Sequence, residues 1–268
     1  MSTFSRRSSG IEHPETRLMR EDRCMSRYTD YDLFADVYSR HWGGFATRVV
    51  PVLGRLVLEQ LEPGSTILDL CCGTGQLAAT LTSRGFEVIG IDGSASMIDH
   101  ARSNAPDARF VVSDARDFEL EEPVDVVLST FDSLNHLMTR ADLERTFRRV
   151  AAALKPGGVF VFDLNMEEGF RARWRGSFGI SGDEEVVVGR LSYDPARAMG
   201  TYEVTIMTLD GTTWRRSDVS LSQCSYPEGD IRAALSEAGF IDIAVFESGD
   251  LGRTEVGRSF FYCRTSSA

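Results

Sequence analysis

The sequence predicts an α/β fold: a doubly wound, mostly parallel seven-stranded sheet with an inserted antiparallel β-sheet after the fifth strand. Two observations predict it. Between residues 66 and 164, short apolar runs alternate with amphipathic stretches of helix length, as in strands buried on both faces and linked by covering helices. After residue 164 three strand-length segments follow one another directly, and then a helix and two strands restore the first rhythm.

Taken in order, a helical pattern spans Tyr31 to Leu61, with Leu33, Phe34 and Val37 followed by Val49, Val50, Val52, Leu53, Leu56, Val57 and Leu61 at three-to-four spacing, until Pro63-Gly64 ends it. Strands are predicted at Thr66–Leu70, Glu87–Ile91, Arg109–Val112, Val124–Ser129 and Val159–Leu164, with helices at Gln76–Ser83, Ser94–Ser103 and Arg140–Leu154 between them. The insertion is predicted as Glu184–Tyr193, Met199–Leu209 and Thr212–Ser222, joined by Asp194-Pro195 and by Asp210-Gly211, a hairpin signal. A helix over Glu228–Ala238 stops at Gly239, and strands at Ile241–Glu247 and Arg258–Cys263 complete the seven. The chain thus divides into a flexible tail over 1–27, an α/β domain formed by 28–168 with 228–268, and an inserted subdomain over 169–227 that serves as a lid over substrate or as a dimerisation surface.

Composition narrows the function. A net charge of -11 argues against nucleic-acid and anionic-membrane partners, which select basic surfaces. Cys24, Cys71, Cys72, Cys224 and Cys263 show no CxxC spacing, and His13, His41, His100 and His136 are scattered, so neither a metal site nor a disulfide framework is expected. No apolar run reaches the roughly 20 residues of a membrane helix, and the arginine-bearing start lacks the apolar core of a secretory signal. A cytoplasmic location is expected, with Met25 as an alternative initiation point.

The first predicted strand runs into Leu68-Asp69-Leu70-Cys71-Cys72-Gly73-Thr74-Gly75, and a helix follows at once. Gly73 and Gly75 let the backbone turn tightly and approach a ligand, in the manner of a Rossmann-like nucleotide site. Gly73 to Ala78 also satisfies GxGxxA, with Asp92 at the distance of a ribose-binding acid, so a nicotinamide dinucleotide fits this far. Asp69 at the lip of the loop would repel a pyrophosphate but attract the ammonium or sulfonium of S-adenosylmethionine (SAM). Asp114, just beyond the third strand, is placed to accept from an adenine amino group, with the Ala115 N–H as a neighbouring donor.

In this order, LDLCCGTG, GIDGSASMI, SDARDF and LKPGGVFVFD resemble the successive signatures of class I SAM-dependent methyltransferases. The family pattern has glycine where this chain has Cys71, which narrows the loop while leaving Gly73 and Gly75. The resemblance implies SAM as cofactor, with Asp92 holding both ribose hydroxyls, Gly93 and Met97 lining the adenosine pocket, and Asp114 with Ala115 reading the adenine edge. Over Tyr28 to Arg264 the chain is similar to small-molecule N-methyltransferases, including amino-sugar N,N-dimethyltransferases, through the YxxFAxxY spacing at Tyr31 to Tyr38, the STFDSLNHL segment and the late insertion. That likeness implies that Tyr31 and Tyr38 close over the methionine end of SAM. That likeness aside, Phe131 after the fourth strand is a candidate either for contacting the cofactor or for the core.

Methyl transfer from a sulfonium is an in-line displacement, so orientation supplies much of the catalysis and a strong base is not mandatory. His136, in the connection at the carboxyl edge of the sheet, is the leading catalytic candidate beside the acceptor, with Asp132 and Asn135 in the same segment. Asn165, Tyr38 and Trp174 are candidates for holding the substrate, and His41 and Trp42 either wall the pocket or pack the N-terminal helix. Arg173, Arg175, Arg190, Arg215 and Arg216 with Trp174 and Trp214 suggest an anion-reading lid, although exposed strand arginines usually form a solvated face. The expected function is methyl transfer to a nitrogen or oxygen of a small metabolite; a nucleotide-dependent oxidoreductase and a non-catalytic SAM-binding module are the alternatives.

Overall fold

The computed structural model describes residues 28–267. The tail over 1–27, with Met25 and Cys24, lies outside the described residues. One seven-stranded sheet has β1 (Thr66–Leu70) in the middle of its five parallel strands, with β2 (Glu87–Asp92) and β3 (Arg109–Val112) on one side and β4 (Val124–Ser129) and β5 (Leu154–Asn165) on the other. Two late strands, β10 (Ile241–Glu247) and β11 (Arg258–Arg264), extend the β5 edge; β11 runs antiparallel to both neighbours. The order β3-β2-β1-β4-β5-β11-β10 reverses at β1, which opens a crevice above the carboxyl ends of β1 and β4.

Helices α4 (Gln76–Thr82), α5 (Ala95–Asn104), α6 (Arg140–Ala153) and α8 (Glu228–Glu237) cover the sheet. Leu68, Phe147, Phe160 and Phe162 belong to the core on one face, while Ile67, Leu53, Leu81 and Val126 belong to the core on the other. Both faces of the central strands are therefore dry, which is why their sequences are continuously apolar.

The inserted sheet is an antiparallel meander of β6 (Gly176–Ser181), β7 (Glu185–Asp194), β8 (Met199–Asp210) and β9 (Thr213–Cys224). Asp210 pairs with Thr213 across the two-residue turn Gly211-Thr212, in which Gly211 has φ +63°. Two elements were not foreseen. Helix α7 (Glu167–Arg173) is only seven residues long, and β6 reads GSFGIS, mostly exposed and too glycine-rich to signal a strand.

The single helical pattern of Tyr31–Leu61 is in fact three helices, α1 (Tyr28–Asp32), α2 (Ala35–His41) and α3 (Gly44–Leu56), followed by a 3-10 turn. The break at Gly43 has a steric reason: a Cβ there would sit 2.7 Å from the Gln76 side chain, so the chain bends tightly over the start of α4. The bends turn Phe34 and Val37 away from the parallel sheet, onto Val187, Val204, Ile206, Val219 and Leu221 of the insertion. This third core joins the first helices to the inserted sheet and suspends both above the crevice.

Candidate active site

The crevice encloses a cavity of about 410 Å³. Its floor is the loop after β1, the end of β2 and the turns after β3 and β4. Its roof is Tyr31, Phe34, Tyr38 and Trp42 from the first helices with Phe178, Tyr202 and Leu221 from the inserted sheet.

The floor begins at Cys71, whose φ of +61° occupies the backbone state that glycine takes without strain. Cys71 lines the cavity in that conformation. Gly73 follows at φ +53° and lies open beneath the Tyr38 ring, 3.5 Å from where a Cβ would be. Gly75, at φ +81°, does not line the cavity: a Cβ there would meet the Ala101 backbone of α5 at 2.8 Å, so its absent side chain serves close helix packing. Asp92 Oδ2 accepts from the Gly73 N–H and Oδ1 from the Ser94 N–H, each at 2.9 Å, which ties the glycine loop to the end of β2. Gly93, Met97 and Ala115 continue the same wall. Asp32 reaches across from α1 to accept from the Ser94 hydroxyl at 2.6 Å, so the helix bearing Tyr31 is pinned to the start of α5.

Two carboxylates expected at the cofactor do not line the cavity. Asp114 is not on the cavity wall; the Arg116 guanidinium grips it at 2.6–3.2 Å, and Arg116 with Ala115 faces the cavity in its place. Asp69 lies one layer behind the loop, 2% exposed, with Oδ2 buried and lacking a hydrogen-bond partner. Burial, reinforced by the neighbouring charge of Asp92, pushes its pKa up to about 8.

The turn after β4 is the most constrained part. Phe131 and Asp132 have φ of +64° and +51°, an unusual pair of consecutive non-glycine residues in the left-handed region. Asp163, fully buried on β5, holds them there by accepting from the Phe131 N–H at 2.7 Å and the Asp132 N–H at 3.1 Å. Arg258, at the start of β11, bridges Asp163 and Asp132 and lies over the Phe131 ring at 5.8 Å. Burial works against its charge, but the two carboxylates outweigh burial and raise its pKa above the usual arginine value. Phe131 stacks on Phe45 at 4.2 Å.

The same turn continues as a 3-10 segment, Ser133–His136, and delivers His136 to the cavity. Its Nδ1 lies 2.8 Å from the Ser222 carbonyl, an acceptor, so Nδ1 carries the proton and Nε2 has the lone pair. Nε2 accepts from the Tyr31 hydroxyl at 2.7 Å and lies 3.1 Å from the Gln223 amide nitrogen. Burial lowers the His136 pKa, against the pull of Asp132. Asn135 turns the other way and is structural, donating to the carbonyls of Asn165 and Cys224 and accepting from the Asn165 N–H.

Asn165 and Trp174 both reach the cavity. Trp174 packs over Gly200, where a Cβ would meet its ring at 2.6 Å. Of the insertion's arginines, Arg190, Arg215 and Arg216 pair with Glu203, Asp210 and Asp218 on the exposed face. Arg173 instead lines the cavity, donating to the neutral acceptors Asn165 Oδ1 and the Val256 carbonyl. Trp42 packs between Phe34 and Phe178 in the roof, and His41 pairs with Glu185. Asp163, Gln223 and Arg258 were missed in the sequence because each comes from an element whose proximity to the turn only the fold creates.

A crevice at the reversal of a parallel sheet, a glycine loop tied to an acid at the end of the next strand, and a roof built from an insertion after β5 define a class I SAM-dependent methyltransferase. Residues 67–158 match the methyltransferase domain family. The chain is 30% identical over 227 residues to the dTDP-3-amino-3,4,6-trideoxy-alpha-D-glucopyranose N,N-dimethyltransferase of Streptomyces venezuelae, covering 83% of this chain and 93% of that one. It is 29% identical over 215 residues to the dTDP-4-amino-2,3,4,6-tetradeoxy-D-glucose N,N-dimethyltransferase of Saccharopolyspora spinosa, covering 78% and 83%. A SAM-dependent methyltransferase from Clostridium acetobutylicum superposes with a TM-score of 0.73 at 22% identity, over 88% of this chain and 99% of that one. The chain belongs to the SAM-dependent methyltransferase family.

The orphaned Asp69 Oδ2 fits a cationic cofactor, because a positive charge nearby would favour its ionised form. Below pH 8 Asp69 keeps its proton in the free protein, so cation binding should expel it. SAM binding at pH 7 is accordingly expected to release close to one proton, and affinity to rise with pH until about 8. Calorimetry in buffers of different ionisation enthalpy measures this directly. Heats independent of the buffer would show that Asp69 does not sense the cofactor.

Proposed function

We propose that this enzyme methylates the amino nitrogen of a sugar carried on a nucleotide, in the cytoplasm. The observation that carries the reading is the Tyr31–His136 pair, a neutral imidazole whose Nε2 takes a hydrogen bond from a cavity-lining phenol. Asp92, Gly73, Gly93, Met97 and Ala115 would hold the nucleoside half of SAM, with Cys71, Tyr31, Tyr38 and Phe131 around its methionine end. When bound, SAM supplies a methyl group on a sulfonium for in-line displacement.

An amine acceptor arrives mostly as ammonium and must lose a proton before it can attack. Tyr31 donates its own hydrogen to His136 Nε2, so its oxygen lone pairs remain to accept from the acceptor nitrogen. Burial raises the Tyr31 pKa well above its ordinary value, so the phenol passes a proton on without resting as phenolate. His136 takes the transferred proton on Nε2 while its Nδ1–H stays on Ser222. The aromatic roof excludes water and its faces favour the substituted ammonium that forms. Arg173, whose hydrogen-bond acceptors in the protein are neutral, supports an acceptor bearing an anionic group, as the dTDP in the relatives' names would supply.

The test is incubation with deuteromethyl SAM and a panel of dTDP-linked amino sugars, followed by mass spectrometry. N-methylated products are expected, and His136→Ala should reduce turnover roughly a hundredfold while SAM affinity is retained. Label transferred to sugar oxygen and never to nitrogen would overturn the reading.

A further inference from the structure

His136 lies beside an acid, yet burial lowers its pKa. Asp132 comes from the same turn, and Asp163 stands behind it on β5. A histidine so close to a carboxylate normally donates to it and becomes imidazolium, which would leave no lone pair for an acceptor's proton. Here a third side chain stands between them. The Gln223 amide nitrogen, near the end of β9, lies 2.6 Å from Asp132 Oδ2 and 3.1 Å from His136 Nε2. The Asp132 carboxylate accepts only, so it fixes which end of the amide faces the turn: the NH2 group points there, with one hydrogen for the carboxylate and the other for the imidazole. Gln223 Oε1 faces Asn165 Nδ2 at 3.5 Å on its other side, consistent with that orientation.

We propose that Gln223 is a positioning residue that insulates His136 from Asp132, keeping the imidazole neutral with its Nε2 lone pair available for the transfer reaction. The geometry works in two ways. An Nε2–H would forfeit the hydrogen bond from the Gln223 NH2, which can only donate, and keep the Tyr31 hydroxyl as its acceptor, so protonation costs a hydrogen bond. Asp132 meanwhile has both oxygens engaged, Oδ2 by Gln223 and Oδ1 by Arg258, which hold the carboxylate turned toward those two donors. The other titratable or charged groups around His136 are Tyr31 on α1, which also donates to Nε2, Arg258 on β11, which offsets the two acids, and Arg173 on α7, which faces the same cavity. The insulator comes from the inserted sheet, and so does Ser222, which fixes the Nδ1–H. Seating of that sheet on the turn therefore sets the charge state of the imidazole.

The role rests on His136 serving the acceptor, but its test needs no acceptor. The full-length protein, labelled with ¹⁵N in histidine and saturated with SAM, is titrated by NMR, with His136→Asn used to assign the signal. Wild-type His136 is expected as the Nδ1–H tautomer, neutral to below the ordinary histidine midpoint. In Gln223→Met the midpoint should rise by at least one pH unit, and in Gln223→Glu further still, with SAM affinity within twofold of wild type. A midpoint unchanged in the folded Met variant overturns the proposal. Should the Met variant fail to fold, the nearly isosteric Glu variant decides alone, and there an unshifted midpoint is equally fatal. A failed amino-sugar assay would leave this result standing, so the two readings are separable.

Discussion

Arg258→Met should destabilise the protein by about 3–5 kcal/mol, because it leaves two buried carboxylates facing each other with their shared cation gone. The side chain is 6% exposed, and Asp163 is fully buried, so water cannot replace the guanidinium. The loss should depend on pH. Burial already raises the Asp163 pKa and the Arg258 charge opposes that rise; without the charge it climbs further. A carboxyl with a raised folded pKa binds more protons folded than unfolded, so its contribution is retained at low pH and lost as pH rises. Urea titrations should therefore show a larger deficit at pH 8 than at pH 5. The Phe131–Asp132 backbone, held in its left-handed state from Asp163, would loosen at the same time. A wild-type midpoint in urea would mean that the arginine is incidental to the fold.

Asp92→Ala is expected to weaken SAM binding by at least tenfold, about 1.4 kcal/mol for each factor of ten. Two losses combine. The carboxylate proposed to hold the ribose hydroxyls disappears, and the Gly73 and Ser94 N–H groups lose their common acceptor. The glycine loop is then no longer fastened to β2. Isothermal titration measures the effect, and Asp92→Asn should recover part of it because one oxygen remains. Unchanged affinity in a folded Asp92→Ala protein would place the ribose elsewhere.

How much of this was readable in the sequence depended on the range of the interaction. The strands β1, β2 and β4 announce themselves because burial on both faces makes them largely apolar, and the Asp-Gly pair marks the neighbourhood of its turn. The glycine loop and Asp92 are likewise local signals. The role of Gly75 was not legible, since its packing against Ala101 depends on how α4 and α5 meet. Asp114 was correctly located at the end of β3, yet its pairing with Arg116 is a matter of side-chain direction that spacing does not encode. Helix α7 and strand β6 escaped because neither is long or periodic enough to stand out. Arg258 is 126 residues from Asp132 and looked like the polar start of an apolar strand; only the antiparallel seating of β11 against β5 makes it a cation at the turn.

The apolar cluster that unites Phe34 and Val37 with the meander has an engineering corollary. Segments 28–41 and 176–224 are far apart in the chain but interdigitate, so neither can be transplanted into a homologous scaffold by itself without baring the other's greasy side. A chimera designed to change acceptor preference must move both pieces together, and the loops after β1, β2 and β3 can stay behind, since they contribute nothing to that cluster.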